Sequence, residues 1–380
     1  MEPMQPSNNS PPRWKVPFID LRATWARERH DLLGIMDEVA ADARFILRQE
    51  VEELESRAAA FLGVKYAVAV GNGTDAITLG LKVAGVGPGD EVITVAHTFV
   101  ATIASIVHCG ATPVLVDIGT DFLMDPQRLQ EAITPRTKAV IPVHLNGRCC
   151  DMEHILAIAA RHGIQVIEDA AQAFGATLDG KHAGSFGLTA AFSFHPMKVL
   201  SCCGDGGLVT TNDEGLAEHV KRLRHHGQRN KTEIVHFGVN SRLDNLQAAI
   251  LLYRLDRLKE TLARRRHIAQ RYHAGLSAAR GITLPPHPGN PGDRYQDIVS
   301  TFVIRVPDRD AMQQHLTQQG IETFVHWSPP LHQRKSLHLS ASLPVTEAVS
   351  DQALSLPVFP EMTDEQVDWV IRSILNRDHA

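Results

Sequence analysis

Short β-branched runs alternate with longer helical patterns through the first two-thirds of this chain, and that alternation restricts the fold more than any other feature. Tyr66–Val70, Glu91–Val95, Pro113–Asp117, Ala139–Val143 and Val166–Glu168 read as strands. Between them Asp75–Ala84, Val100–His108, Pro126–Ile133 and Met152–His162 read as helices, with Gly and Pro at the joints. Further strands are expected at Thr189–Ser193 and Leu208–Thr210, then a helix over Glu214–His225. This order predicts βαβ units: an α/β fold with a mostly parallel central sheet covered by helices on both faces.

From Asn240 the period changes. Leu243, Leu246, Ile250 and Tyr253, then Leu255, Leu258 and Leu262, recur every three or four residues and predict a long amphipathic helix, straight or bent, running towards Gly281. A Pro/Gly-rich loop over 285–292 precedes a strand at Thr301–Val306, a helix at Arg309–Gln319 and a closing helix at Asp364–Arg377. With 380 residues, two domains are expected: a large α/β domain over 16–259 and a smaller α+β domain over 260–380. Residues 1–15 read as a disordered lead-in, because the first dozen are rich in Pro, Asn and Ser.

Charge and cysteine usage exclude several function classes. Acidic residues number 43 and basic residues 38, a net charge of −5, which offers no general attraction for nucleic acid or anionic lipid. Arg264-Arg265-Arg266 lies in a helical pattern and reads as a solvated face. There is neither a run long enough to span a membrane nor the continuous apolar segment of a secretory signal. Five cysteines are few and odd in number, and neither Cys149-Cys150 nor Cys202-Cys203 has the spacing of a zinc site, so no metal is expected. A cytoplasmic enzyme is the simplest setting.

Chemistry concentrates at the expected strand ends. Asp169 closes an apolar strand, where open α/β sheets place ligands. It serves either as a carboxylate partner for a protonated ring nitrogen or as the cap of a following helix. Gln172 follows three residues on. Gly71-Asn72-Gly73-Thr74-Asp75 joins strand to helix and exposes N–H groups that suit a phosphate, though it is neither a Walker motif nor a dinucleotide fingerprint. Phe99 is either a ring-stacking aromatic or core. Ser193 offers a second phosphate hydroxyl; His195 faces substrate or is structural; Lys198 supplies an amine. An amine, a buried carboxylate and a phosphate cradle together point to pyridoxal phosphate (PLP), whose aldehyde forms an imine with lysine.

In these segments, with Thr98-Phe99-Val100-Ala101-Thr102, Glu168 to Gln172, Ser193 to Lys198, Gly204-Asp205-Gly206-Gly207 and Asn240-Ser241-Arg242-Leu243-Asp244, the chain resembles the sugar aminotransferases of the DegT/DnrJ/EryC1/StrS family from about Val16 to its end. The resemblance implies the PLP-dependent transferase type I (aspartate aminotransferase-like) fold. It implies Lys198 as the imine lysine, Asp169 opposite the pyridine nitrogen, Gln172 near the ring hydroxyl and Phe99 stacked on the ring. Gly73, Thr74 and Ser193 would hold the phosphate, completed by Asn240 from the neighbouring subunit of a homodimer. His195, Arg229 and His332 fall in segments that commonly face substrate. L-glutamate as donor and a keto sugar, usually nucleotide-linked, as acceptor are implied. Gly204 to Gly207 resembles the version found in enzymes aminating C3, while Val199 to Cys203 departs from it. Two alternatives stand beside this reading: a PLP-dependent sugar dehydratase, whose branch replaces the lysine with histidine, and a non-catalytic regulatory or binding protein of the same fold.

Overall fold

The computed structural model describes residues 14–290 and 292–379. Among them a seven-stranded sheet forms the centre of the large domain, in the order Tyr66–Val70, Gly207–Thr211, Thr189–Ser193, Gln165–Asp169, Thr137–Val140, Glu91–Val95, Thr112–Val116. Gly207–Thr211 runs antiparallel to both neighbours, and the remaining pairs are parallel. The fold is therefore α/β with a mostly parallel sheet. Apart from the half-buried edge strand Thr112–Val116, its strands are largely buried because helices cover both faces.

Tyr66–Val70, Glu91–Val95, Thr189–Ser193, Val100–His108 and Met152–His162 have the expected limits. Local chemistry sets such ends: Asp151 accepts from the His154 N–H, and Gly163 stops the helix at φ 67°. The long helix divides into Asn245–Asp256 and Leu258–Leu276. At the break the Arg257 guanidinium lies 3.6 Å from the centre of the Tyr253 ring and donates to its carbonyl.

Leu258–Leu276 joins two cores. Leu258 and Leu262 pack with the large domain, whereas Ile268, Ala269, Tyr272 and Leu276 pack with the antiparallel pair Phe302–Arg305 and Ala353–Leu356 and the helix Asp364–Leu375. The expected boundary near residue 260 thus falls inside one helix. Val16 belongs to the second core, so the described residues begin in the C-terminal unit. Of the expected lead-in, residues 1–13 lie outside the described residues. Lys15 is held in place: its N–H donates to the Gly320 carbonyl at 2.9 Å and its amine sits 3.1 Å from the centre of the Trp369 ring.

Two N-terminal helices, Leu21–Ala41 and Gln49–Leu62, were not expected from the sequence. The first buries only Glu28, Leu32 and Val39, too few to give an apolar stripe. The second carries a readable one in Val51, Leu54, Ala58 and Leu62.

His97 hydrogen-bonds through Nδ1 to Ser350 Oγ at 2.9 Å, linking the end of Glu91–Val95 to the helix Pro344–Gln352. Burial, with His326 adding to it, lowers its pKa to about 3. The unfolded imidazole takes its proton near pH 6.5, so the stability from keeping it neutral is present above that pH and is lost as pH falls towards 3. The urea midpoint should drop between pH 7 and pH 4.5, and drop less in His97→Gln. Equal drops would show that His97 is not responsible.

Candidate active site

The site is built where Gln165–Asp169 ends. Side chains alternate along a strand, so neighbouring Glu168 and Asp169 point to opposite faces. Glu168 is wholly buried. Its carboxylate accepts from the N–H groups of Gly184, Phe186 and Gly187, each at 2.7 Å, and from His144 Nε2 at 2.8 Å. The His144 tautomer follows from its other nitrogen: Nδ1 accepts from the Cys150 N–H at 3.0 Å, leaving Nε2 to donate.

Asp169 faces a cleft of about 370 Å³. Its Oδ2 accepts from Thr102 Oγ1 at 2.7 Å, and Oδ1 from the Ala171 N–H at 3.2 Å. Thr98 Oγ1 lies 2.9 Å from the Thr102 hydroxyl. The capping alternative for Asp169 lapses, since turns follow it rather than a helix. Lys198 lines the same cleft, its amine pushed below the ordinary lysine value by burial, with the Asp169 charge opposing that shift.

A helix start whose N–H groups suit a phosphate closes one end. The helix Gly73–Val83 opens on Asn72, whose Oδ1 accepts from the Asp75 N–H at 2.8 Å. Ser193 approaches this helix start so closely that a Cβ on Gly73 would lie 2.8 Å from Ser193 Cβ. Gly73 is therefore required for space. A Cβ on Gly207 would meet the Asn72 carbonyl at 2.3 Å and one on Gly206 would meet Cys202 Sγ at 2.6 Å, so these glycines serve the packing of the cradle. Helix N-terminal N–H groups, Thr74 and Ser193 together suit a dianionic phosphate.

Phe99 is 57 % exposed and lines the cleft, which removes the core alternative; its ring centre lies 5.7 Å from that of Trp327. Gln172 lines the cleft with Oε1 occupied by the Asn146 N–H at 2.8 Å, leaving its amide nitrogen to donate. His195 is exposed on the cleft wall and accepts at Nδ1 from the Met197 N–H at 3.3 Å.

Three expected residues are not brought into this chain's cleft. Asn240 and Arg229 lie on an exposed loop outside its lining, where Arg229 pairs with Glu233 at 2.7 Å. His332 is buried elsewhere: the short turn Leu331–Gln333 turns its ring onto Glu347, with Nε2 3.0 Å from Oε1. Thr102, His326, Trp327 and Arg265 also belong to the site and were not assigned to it from the sequence. Thr102 was within reach, since it lies one helical turn from Thr98. The imidazole of His326 is held at Nδ1 by Ser355 Oγ at 2.7 Å, and burial together with the Lys198 charge lowers its pKa to about 4.

The donor set fits pyridoxal phosphate: a cradle for the phosphate, an aromatic wall for the ring, a pinned carboxylate for the ring nitrogen and a buried amine for the aldehyde. Fold and site together define a PLP-dependent transferase. The chain belongs to the DegT/DnrJ/EryC1/StrS aminotransferase family, whose pattern matches residues 27–375. It is 44 % identical over 364 residues to the "Pleiotropic regulatory protein" of Geobacillus stearothermophilus, covering 94 % of this chain and 97 % of the relative. It is 41 % identical over 363 residues to the UDP-2-acetamido-2-deoxy-3-oxo-D-glucuronate aminotransferase of Pseudomonas aeruginosa, covering 95 % of this chain and 100 % of the relative. The crystal structure of NtdA from Bacillus subtilis with bound cofactor PMP superposes with a TM-score of 0.87 at 34 % identity, covering 96 % of this chain and 85 % of that one.

Gly73→Ala should weaken phosphate retention, because the new methyl group must push Ser193 away from the helix start. Cofactor titration should show affinity lowered at least tenfold while thermal stability changes little. Unchanged affinity would place the phosphate elsewhere.

Proposed function

We propose that this aminotransferase transfers the amino group of L-glutamate to a nucleotide-linked 3-keto sugar. The observation that carries the reading is that the Lys198 amine and the Asp169 carboxylate line one cleft, together with Gly73, Thr74 and Ser193, which suit a phosphate. The 3-keto preference is supported by the 3-oxo sugar named for the Pseudomonas relative and by Gly204-Asp205-Gly206-Gly207 after the lysine.

When bound, pyridoxal phosphate supplies a conjugated electron sink that makes the substrate's Cα proton acidic. The protein does the rest. Lys198, favoured as a neutral amine by burial, takes a proton from one carbon and returns it to another as a general base and acid. Asp169, held by Thr102 and the Ala171 N–H, presents fixed negative charge to the ring nitrogen without reorganising during the reaction. Phe99 and Trp327 wall the ring site, and His195 stands at its rim to orient substrate or relay a proton.

The working unit in this reading is a homodimer. The loop carrying Arg229 and Asn240 also exposes Ile234, Val235, Val239 and a fully exposed Phe237, an apolar surface suited to a second copy. Asn240 would then complete the partner's phosphate pocket, with Arg229 near its substrate. The described helices include none long and apolar enough to cross a membrane. We place the enzyme in the cytoplasm, in keeping with five unpaired cysteines, four of them buried.

The name of the Geobacillus relative favours a second reading, a regulatory protein. Adding L-glutamate to the cofactor-loaded protein separates the two. An aminotransferase loses the visible absorbance of the cofactor's aldehyde form, gains the near-ultraviolet absorbance of its amino form, and recovers the first when a nucleotide-linked 3-keto sugar is added, with an amino sugar detected by mass. No spectral response to glutamate would reject the proposal; sugar consumed without an amino product would favour the dehydratase.

A further inference from the structure

One cation in the cleft has no role in the chemistry above. Arg265 projects from Leu258–Leu276 into the seam between the two cores, is only 3 % exposed and lines the cleft with Ser300, Thr301 and Val358. A buried guanidinium is costly unless its donors and its charge are both met. Here they are met in part. Nη1 donates to the carbonyls of Val358 at 2.9 Å, Val299 at 3.2 Å and Ser300 at 3.5 Å, while Nε is buried without an acceptor. None of the ion pairs among the described residues includes Arg265. The acid nearest in effect, Glu361, is engaged with Arg27 at 2.9 Å. Burial lowers the pKa of Arg265 only to about 10, so the group stays cationic at neutral pH.

Among the other charges of the cleft, Asp169 and Lys198 serve the ring site, the phosphate site lies at Gly73, Thr74 and Ser193, and Asp205 lies in the turn after the lysine. An uncompensated cation on the wall of a substrate cleft calls for an anion, and a carboxylate is the partner that a guanidinium binds best.

We infer that Arg265 is the carboxylate anchor of the amino donor, gripping one carboxylate of a dicarboxylic amino acid while its amine reaches the reaction centre. The inference rests on the aminotransferase reading and names the residue that selects the donor. The competing role is a strut, in which Arg265 merely ties its helix to residues 299, 300 and 358.

The two roles predict different patterns in Arg265→Gln and Arg265→Lys. With the cofactor-loaded enzyme, an anchor raises the half-saturating L-glutamate concentration for the spectral conversion on the order of 10- to 100-fold in Arg265→Gln. Cofactor affinity and the return conversion by keto sugar stay within about threefold of the parent enzyme. Arg265→Lys, which keeps the charge and one donor to the carbonyls, recovers thermal stability fully but glutamate affinity only partly, because a lysine cannot bind bidentately. A strut would weaken both conversions and cofactor binding together, and that result, or unchanged glutamate saturation, overturns the inference. Calorimetry with glutarate, which has two carboxylates and no amine, tests the anchor apart from transamination. Glutarate should bind the parent protein and not Arg265→Gln; equal binding to both overturns the inference even if glutamate proves to be the wrong donor.

Discussion

The buried Glu168 carboxylate is the constraint on which the site rests. Removing such a group from water costs several kcal/mol, offset here by three backbone N–H donors and one imidazole N–H. That grip fixes the end of the strand, and strand alternation then leaves Asp169 with one direction to face. The same contact extends outward. His144, held by Glu168 and the Cys150 N–H, positions the segment that follows it, and within that segment the Asn146 N–H fixes Gln172. Gly147 and Asn146 accept from the N–H groups of Ile298 and Ser300, each at 3.0 Å. One buried carboxylate is thus connected to the ring site and to the stretch against which Arg265 packs.

Electrostatics in the cleft follows from this rigidity. Asp169 is not free to turn away, so its charge acts on Lys198 from a fixed place while burial favours the neutral amine. His326, kept neutral chiefly by burial, contributes shape without adding a cation beside the lysine. Space is organised as tightly as charge: Gly73 against Ser193 and Gly207 against Asn72 bring three strand ends together at the start of the helix Gly73–Val83.

Much of this was legible in the sequence. Glu91–Val95, a fully buried parallel strand, is written as a β-branched run and could be delimited to the residue, as could Thr189–Ser193, and Asp169 and Ser193 could be placed at strand ends with Lys198 in the turn beyond. What could not be read is set by contacts distant in the chain. Leu21–Ala41 buries too few side chains to show a stripe, and Ala353–Leu356 is a strand because Phe302–Arg305 pairs with it. Arg265 looked like part of a solvated basic run, yet its two neighbours are only partly covered while it is enclosed between two cores. His332 shared a segment with the cleft residues His326 and Trp327, but a short turn carries its ring onto Glu347. Asn240 and Arg229 lie on a loop outside the cleft lining, so no contact within one chain could support the roles expected of them.

The central claim is that the ε-amino group at position 198 bonds covalently to the cofactor's aldehyde. Borohydride reduction of the cofactor-loaded protein, followed by proteolysis and peptide mass mapping, tests it directly. The account predicts that the reduced cofactor is attached to Lys198 and that no other lysine is labelled stoichiometrically. Stoichiometric labelling of a different lysine, with the peptide containing Lys198 recovered unmodified, would contradict it.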